Sequence, residues 1–96
     1  MSEQRVTRQM GVTHGDFFRI LPKAMGETAY SVNGLAVQGQ LGQGSVEITI
    51  GPEQTRRIAL LAIPYCEVEF VYQNVTDDQF VAFEQHFHLY FQRGGG

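Results

Sequence analysis

The sequence contains no Trp, one Cys, three Pro and one Lys in 96 residues. A lone cysteine, Cys66, cannot close an internal disulfide. This argues against the cross-linked secreted scaffolds and for a reducing compartment. No run of 18 apolar residues is present, so no membrane-spanning helix is expected. The polar start Met1-Ser2-Glu3-Gln4-Arg5 lacks the apolar stretch of a signal peptide. The expectation is a cytoplasmic protein with no membrane partner. Positive charge is also sparse. Arg5, Arg8, Arg19, Arg56, Arg57 and Arg93 are scattered, and the net charge is −3. Without a basic stripe to displace phosphate counterions, nucleic acid is not an expected partner. The glycine patterns of phosphate and dinucleotide loops are absent, and no cofactor is expected.

What is present suits one packed domain spanning 1–96. Hydrophobic residues make up 43% of the chain and charged residues 18%, a mixture that can build a core. Such a short chain buries only about 60–65% of its unfolded surface, so seven Phe and four Tyr are valuable in the core. The fold class expected is α+β, an antiparallel sheet of four or five strands with two helices, in the order β-α-β-β-β-β-α.

Val6, Arg8, Met10 and Val12 alternate with Arg5, Thr7, Gln9 and Gly11, the period of a strand. Thr13 is placed to cap a helix, with Asp16 three residues on. Phe17, Ile20, Leu21 and Ala24 share one face of that helix, Pro22 should kink it, and Gly26 should end it. Asn33-Gly34 is expected to centre a hairpin, with a bulged single strand as the alternative, and Gly39–Gly44 to form a mobile loop. Val46, Ile48 and Ile50 mark another strand. The unbroken apolar run Ile58–Ile63 reads as a central strand covered on both faces, turning at Pro64-Tyr65 into Cys66–Tyr72. Thr76 and Gln79 form a capping box for the last helix, whose stripe is Phe80, Phe83, Phe87, Tyr90 and Phe91.

A turn at Pro64-Tyr65 would set Ile63 opposite Cys66 on a dry face. The other face would then hold Ile58, Leu60 and Val71 beside Glu67 and Glu69. Such a face is either covered by the first helix or a loop, as two-layer domains close, or it is an interface with an apolar centre and a charged rim. Val81, Ala82 and Leu89, off the main stripe of the last helix, point the same way. Ile58, Leu60, Val71 and Leu89 are therefore the expected interface residues. The function expected is a non-enzymatic interaction or accessory module with a protein partner, self-association as a homodimer included.

The alternative is a small-molecule ligand site at the start of the first helix, where free N–H groups can hold an anion. Its residues would be Thr13, His14, Asp16 and Arg19, though Asp16 as a cap competes for those donors. His86 and His88, about 200° apart on a helix, cannot share a metal. His88 and Glu84 are four residues apart and form a surface ion pair in this reading, short of the three or four ligands of a zinc site. Cys66 has no base beside it in sequence and no nucleophilic role. Glu67 and Glu69 keep a sheet face wet or meet Arg56 or Arg57 across strands. The end Arg93-Gly94-Gly95-Gly96 resembles the tail of ubiquitin-like sulfur carriers, which implies an activated terminal glycine. Those carriers enter the tail from a strand, whereas here a helix leads in.

Overall fold

The computed structural model describes residues 3–95. Eight elements follow one another: β1 (Glu3–Met10), α1 (His14–Met25), β2 (Tyr30–Asn33), β3 (Ala36–Leu41), β4 (Gly44–Ile50), β5 (Gln54–Ile58), β6 (Leu61–Gln73) and α2 (Asp77–Gly95). The class is α+β with a fully antiparallel sheet, as its composition and periods indicate. The sheet has six strands, in the order β1-β6-β4-β3-β2 with β5 on β6.

β6 is the axis of the sheet. Its second half is flanked on both sides, with Val6 and Ile48 opposite Phe70 and Gln4 and Val46 opposite Tyr72. Cys66, Val68, Phe70 and Tyr72 point to one face and are all buried. Both helices cover that face. Phe17 and Leu21 of α1 and Phe83, Phe87 and Phe91 of α2 close the core over the strands. The opposite face is open and polar, carrying Arg5, Thr7 and Gln9 from β1 and Glu67 and Glu69 from β6 beside Glu47 and Thr49.

The helix starts follow the sequence. Thr13 Oγ1 accepts from the Asp16 N–H at 3.1 Å. At α2 the box is reciprocal, Gln79 N–H to Thr76 Oγ1 at 3.1 Å and Thr76 N–H to Gln79 Oε1 at 3.0 Å. Gly26 ends α1 with φ +61°. Pro22 does not interrupt α1, which is one continuous helix.

Four expectations are corrected. First, Ile58–Ile63 is not a central strand but the tip of a hairpin, turning at Ala59-Leu60 with Ile58 paired to Leu61. Every position of the run is apolar, so its period carries no information on burial. Second, Pro64-Tyr65 is not a turn. β6 runs straight through it, and Ile63 pairs with Arg56 rather than Cys66. Third, the β2–β3 turn is centred on Gly34-Leu35, one residue later than expected, with Gly34 at φ +62° as a two-residue hairpin of this hand requires. Fourth, Gly39–Gly44 is mostly strand. β3 and β4 pair from Leu41↔Gly44 onward, and only Gly42-Gln43 turns.

Gly44 packs against the backbone where β6 leaves the sheet. A Cβ there would overlap the carbonyl oxygens of Gln73 and Asn74, which cannot yield as a flexible side chain could. Gly44→Ala is expected to lower stability by about 1–3 kcal/mol. Chemical denaturation measures this, and a loss under about 0.5 kcal/mol, the surface-substitution range, would contradict the packing described.

Candidate functional site

The start of α1 is largely committed to its own neighbours. The His14 backbone N–H donates to Glu53 Oε2 at 2.8 Å, and the ring Nε2 lies 2.8 Å from the Gly51 carbonyl oxygen. A carbonyl only accepts, so Nε2 carries the proton and His14 pins the Gly51–Glu53 connection onto the helix. Arg19 pairs with Asp16 at 3.2 Å. Thr13, His14, Asp16 and Arg19 do lie together, but two of the donors an anion would use, the N–H groups of His14 and Asp16, are already taken by Glu53 and Thr13.

The other titratable groups are placed as follows. Cys66 is buried and its thiol donates to the Val12 carbonyl at 3.4 Å. Burial, with the nearby Glu53 charge, pushes the thiol above its usual range, the opposite of an activated nucleophile. His86 Nε2 lies 3.2 Å from the Lys23 carbonyl and ties α2 to the end of α1. Glu69 meets Arg5 of β1 at 3.0 Å, not Arg56 or Arg57, and Arg56 instead bonds Gln9 at 2.7 Å. Among the described residues no three acidic, His or Cys side chains form a metal-binding group. The carrier reading centred on Gly96 lies outside the described residues.

Sequence reasoning missed the burial of Glu84. It is 8% exposed, on the core side of α2. Arg8 of β1 donates to Glu84 Oε1 through Nε and Nη2 at 3.2 and 2.8 Å, and the Tyr72 hydroxyl donates to Oε2. His88 Nε2 lies 3.1 Å from Oε1, outside hydrogen-bonding geometry. A signal was available: Glu84 falls four after Phe80 and three before Phe87, inside the apolar stripe. Burial pushes the Glu84 carboxyl up, but His88, Tyr72 and Arg8 outweigh it and hold it at about 2. Burial and the same carboxylate push the Tyr72 phenol far above its usual range. Both oxygens of Glu84 are engaged, so the group is a held anion rather than a free base. A cavity of about 550 Å³ opens beside it, between Arg8, Met10, Val12 and Phe91.

The expected interface residues separate into three places. Ile58 and Leu60 sit on the β5–β6 hairpin, 52% and 102% exposed. Val71 is half-buried on the open sheet face between Arg5 and Glu47. Leu89 is exposed on α2, in the helical layer on the opposite side of the sheet. Only the first two share a surface, with Leu61 and Ile63, and the four do not form one patch.

The hairpin is an arm. β1 stops pairing at Cys66 and β4 at Val68, so Leu61–Tyr65 bond only to β5. Five residues of strand project roughly 17 Å beyond the sheet. Along β6 the odd positions point away from the helices, which gives the arm an apolar face of Ile58, Leu61, Ile63 and Tyr65. Arg56 lies over the Tyr65 ring at 5.0 Å on that face.

No family model matches the chain, and no curated protein or solved structure does. Its function must therefore be read from these residues. No helix among the described residues is long and apolar enough to cross a membrane.

Glu84 makes stability pH-dependent. Folding lowers its pKa from 4.5 to about 2, so the unfolded chain binds this proton more readily. The contribution is complete above about pH 4.5, declines as pH falls, and is gone below about pH 2. A shift of that size corresponds to about 3 kcal/mol at neutral pH. Denaturant titrations of wild type and Glu84→Gln from pH 7 to 2 should give a flatter profile for the variant across this window. Parallel profiles would show that Glu84 is not the group responsible.

Proposed function

We propose that this protein is a non-enzymatic interaction module whose contact element is the β5–β6 arm. The observation that carries the reading is the tip itself: Leu60 is 102% exposed, with Ile58, Leu61 and Ile63 beside it. Each such side chain gains about 1.5–3 kcal/mol when it leaves water, and the arm has no layer of its own to cover them. Single exposed apolar residues are ordinary, but a contiguous group on a projecting element marks a contact surface. The turn adds a second support. Ala59 holds φ +55°, a left-handed conformation that glycine would adopt without cost. An alanine in that position stores strain, which fits a tip shaped for contact.

A catalytic reading has less behind it. Glu84 is held by Arg8 and Tyr72 and the His14 ring by the Gly51 carbonyl, which leaves His88 Nε2 as the buried side-chain polar atom without a hydrogen-bond partner among the described residues.

Native mass spectrometry of the chain purified from its own host tests the proposal. The expected result is a mass above that of one chain, from a second copy or another protein, which Leu60→Lys removes. Leu60 touches no core, so the variant should melt within about 0.5 kcal/mol of wild type. A wild-type chain that stays monomeric and alone, or an assembly indifferent to Leu60→Lys, would overturn it.

A further inference from the structure

The molecule has two unlike poles. β6, thirteen residues and roughly 43 Å long, sets the long axis of a body measuring 47 × 24 × 23 Å. The arm forms one pole. At the other, β6 ends, α2 begins and α1 terminates at Gly26 against His86. There a cavity of about 450 Å³ opens between the helices, lined by Met25, Leu41, Ala82 and Phe83, with Glu27 beside them.

The charges of the two poles are opposite. The arm, Gln54–Tyr65, carries Arg56 and Arg57 and no acidic residue, a charge of +2; the whole chain is −3, so the remainder carries −5. Glu27 lines the far cavity, and Asp77 and Asp78 are exposed in the first turn of α2 at the same pole. Among the described residues these three make no ion pair within 4 Å, and Lys23 is the neighbouring cation. A basic arm with an aliphatic tip therefore has a complement on the same chain, a cavity with an apolar floor and Glu27 in its lining on a pole that carries Asp77 and Asp78.

Resting on the reading of the arm as the contact element, we propose that its occupant is the far pole of a second copy, so that copies assemble head to tail. Leu60 and its neighbours enter the cavity over Met25, Leu41 and Phe83, while Arg56 and Arg57 face Glu27, Asp77 and Asp78. A two-fold contact of arm on arm would instead bring four arginines together, which like-charge repulsion opposes. An anionic surface is disfavoured by the −5 of the body. Arm and receptor are different surfaces, so the contact is heterologous and closes into a ring or extends as a filament.

Complementation between two variants tests this. Leu60→Lys disables the arm and leaves the receptor. Glu27→Lys with Ala82→Arg disables the receptor and leaves the arm; both positions are exposed, and Arg is a good helix former. Glu27→Lys alone is the reserve if the double variant melts early. Light scattering and native mass spectrometry follow each over a concentration series. Wild type should form oligomers that weaken near 1 M salt, where screening shortens to about 3 Å. Each variant alone should assemble at least about tenfold more weakly. Mixed one to one, they should give a heterodimer that grows no further, because one intact arm meets one intact receptor. Loss of assembly in Leu60→Lys with none in the receptor variant, or no rescue on mixing, would overturn the head-to-tail contact and leave the arm as the contact element. So would a wild-type chain bound instead to another protein or to vesicles of anionic lipid. No effect of Leu60→Lys would overturn both.

Discussion

Everything that is ordered in the helical layer depends on one ring. Phe87 is fully buried and touches Phe17 of α1, Phe70 of β6, and Phe83 and Phe91 of its own helix. Phe70 meets it edge-on at 5.4 Å, and Phe91 stacks on it at 4.9 Å. Such pairs add about 0.5–1.5 kcal/mol each beyond the area they bury. Because the sheet and both helices meet at this ring, both helices must lie on the same face. The two-layer form follows, and so does the polar character of the open face, which has nothing to cover it.

The carboxylate buried one turn before that ring gives the aromatic layer direction. Stacked rings tolerate sliding, since their contacts are broad and weakly oriented. Glu84 does not, because Arg8 from β1 and Tyr72 from β6 must reach its two oxygens at once. A shift of α2 by one residue would carry the carboxylate about 100° round the helix and leave a buried charge unpaired. The ion network therefore fixes where α2 sits, and the rings supply most of the energy that holds it there.

What was legible in the sequence and what was not divides along one physical line. Signals carried by local spacing were read correctly: the caps at Thr13 and Thr76, the alternation of Cys66 to Tyr72, and the aromatic stripe of α2. These depend on neighbours within four residues. Misreadings arose where local pattern is silent. Six apolar residues in a row look alike whether buried in a sheet or raised on an arm. Only the pairing of β6 with β1 and β4, which ends at Cys66 and Val68, decides between them. The burial of Glu84 was half legible from its place in the stripe, but its partners at positions 8 and 72 lie far off in sequence. The β2–β3 turn slipped by one residue because Gly34 supplies positive φ at either central position of a two-residue turn.

Under the proposed reading of the arm, Pro64 limits the contacts it can make. In a two-residue hairpin closed by Ile58 and Leu61, hydrogen-bonded and non-hydrogen-bonded pairs alternate outward. Thr55↔Pro64 is then a non-hydrogen-bonded pair, so the donor that proline lacks would have faced the outer edge of the arm. The proline costs the arm no internal bond, yet it denies an incoming strand a donor on that edge. Edge-to-edge pairing, the usual hazard of a projecting hairpin, is blunted on β6. The faces of the arm remain available, one of them the apolar side carrying Ile58, Leu61 and Ile63, together with the tip at Leu60. A contact made through side chains in a shaped cavity can discriminate between partners, whereas strand addition accepts almost any extended chain. The arm has the chemistry for the first and is built against the second.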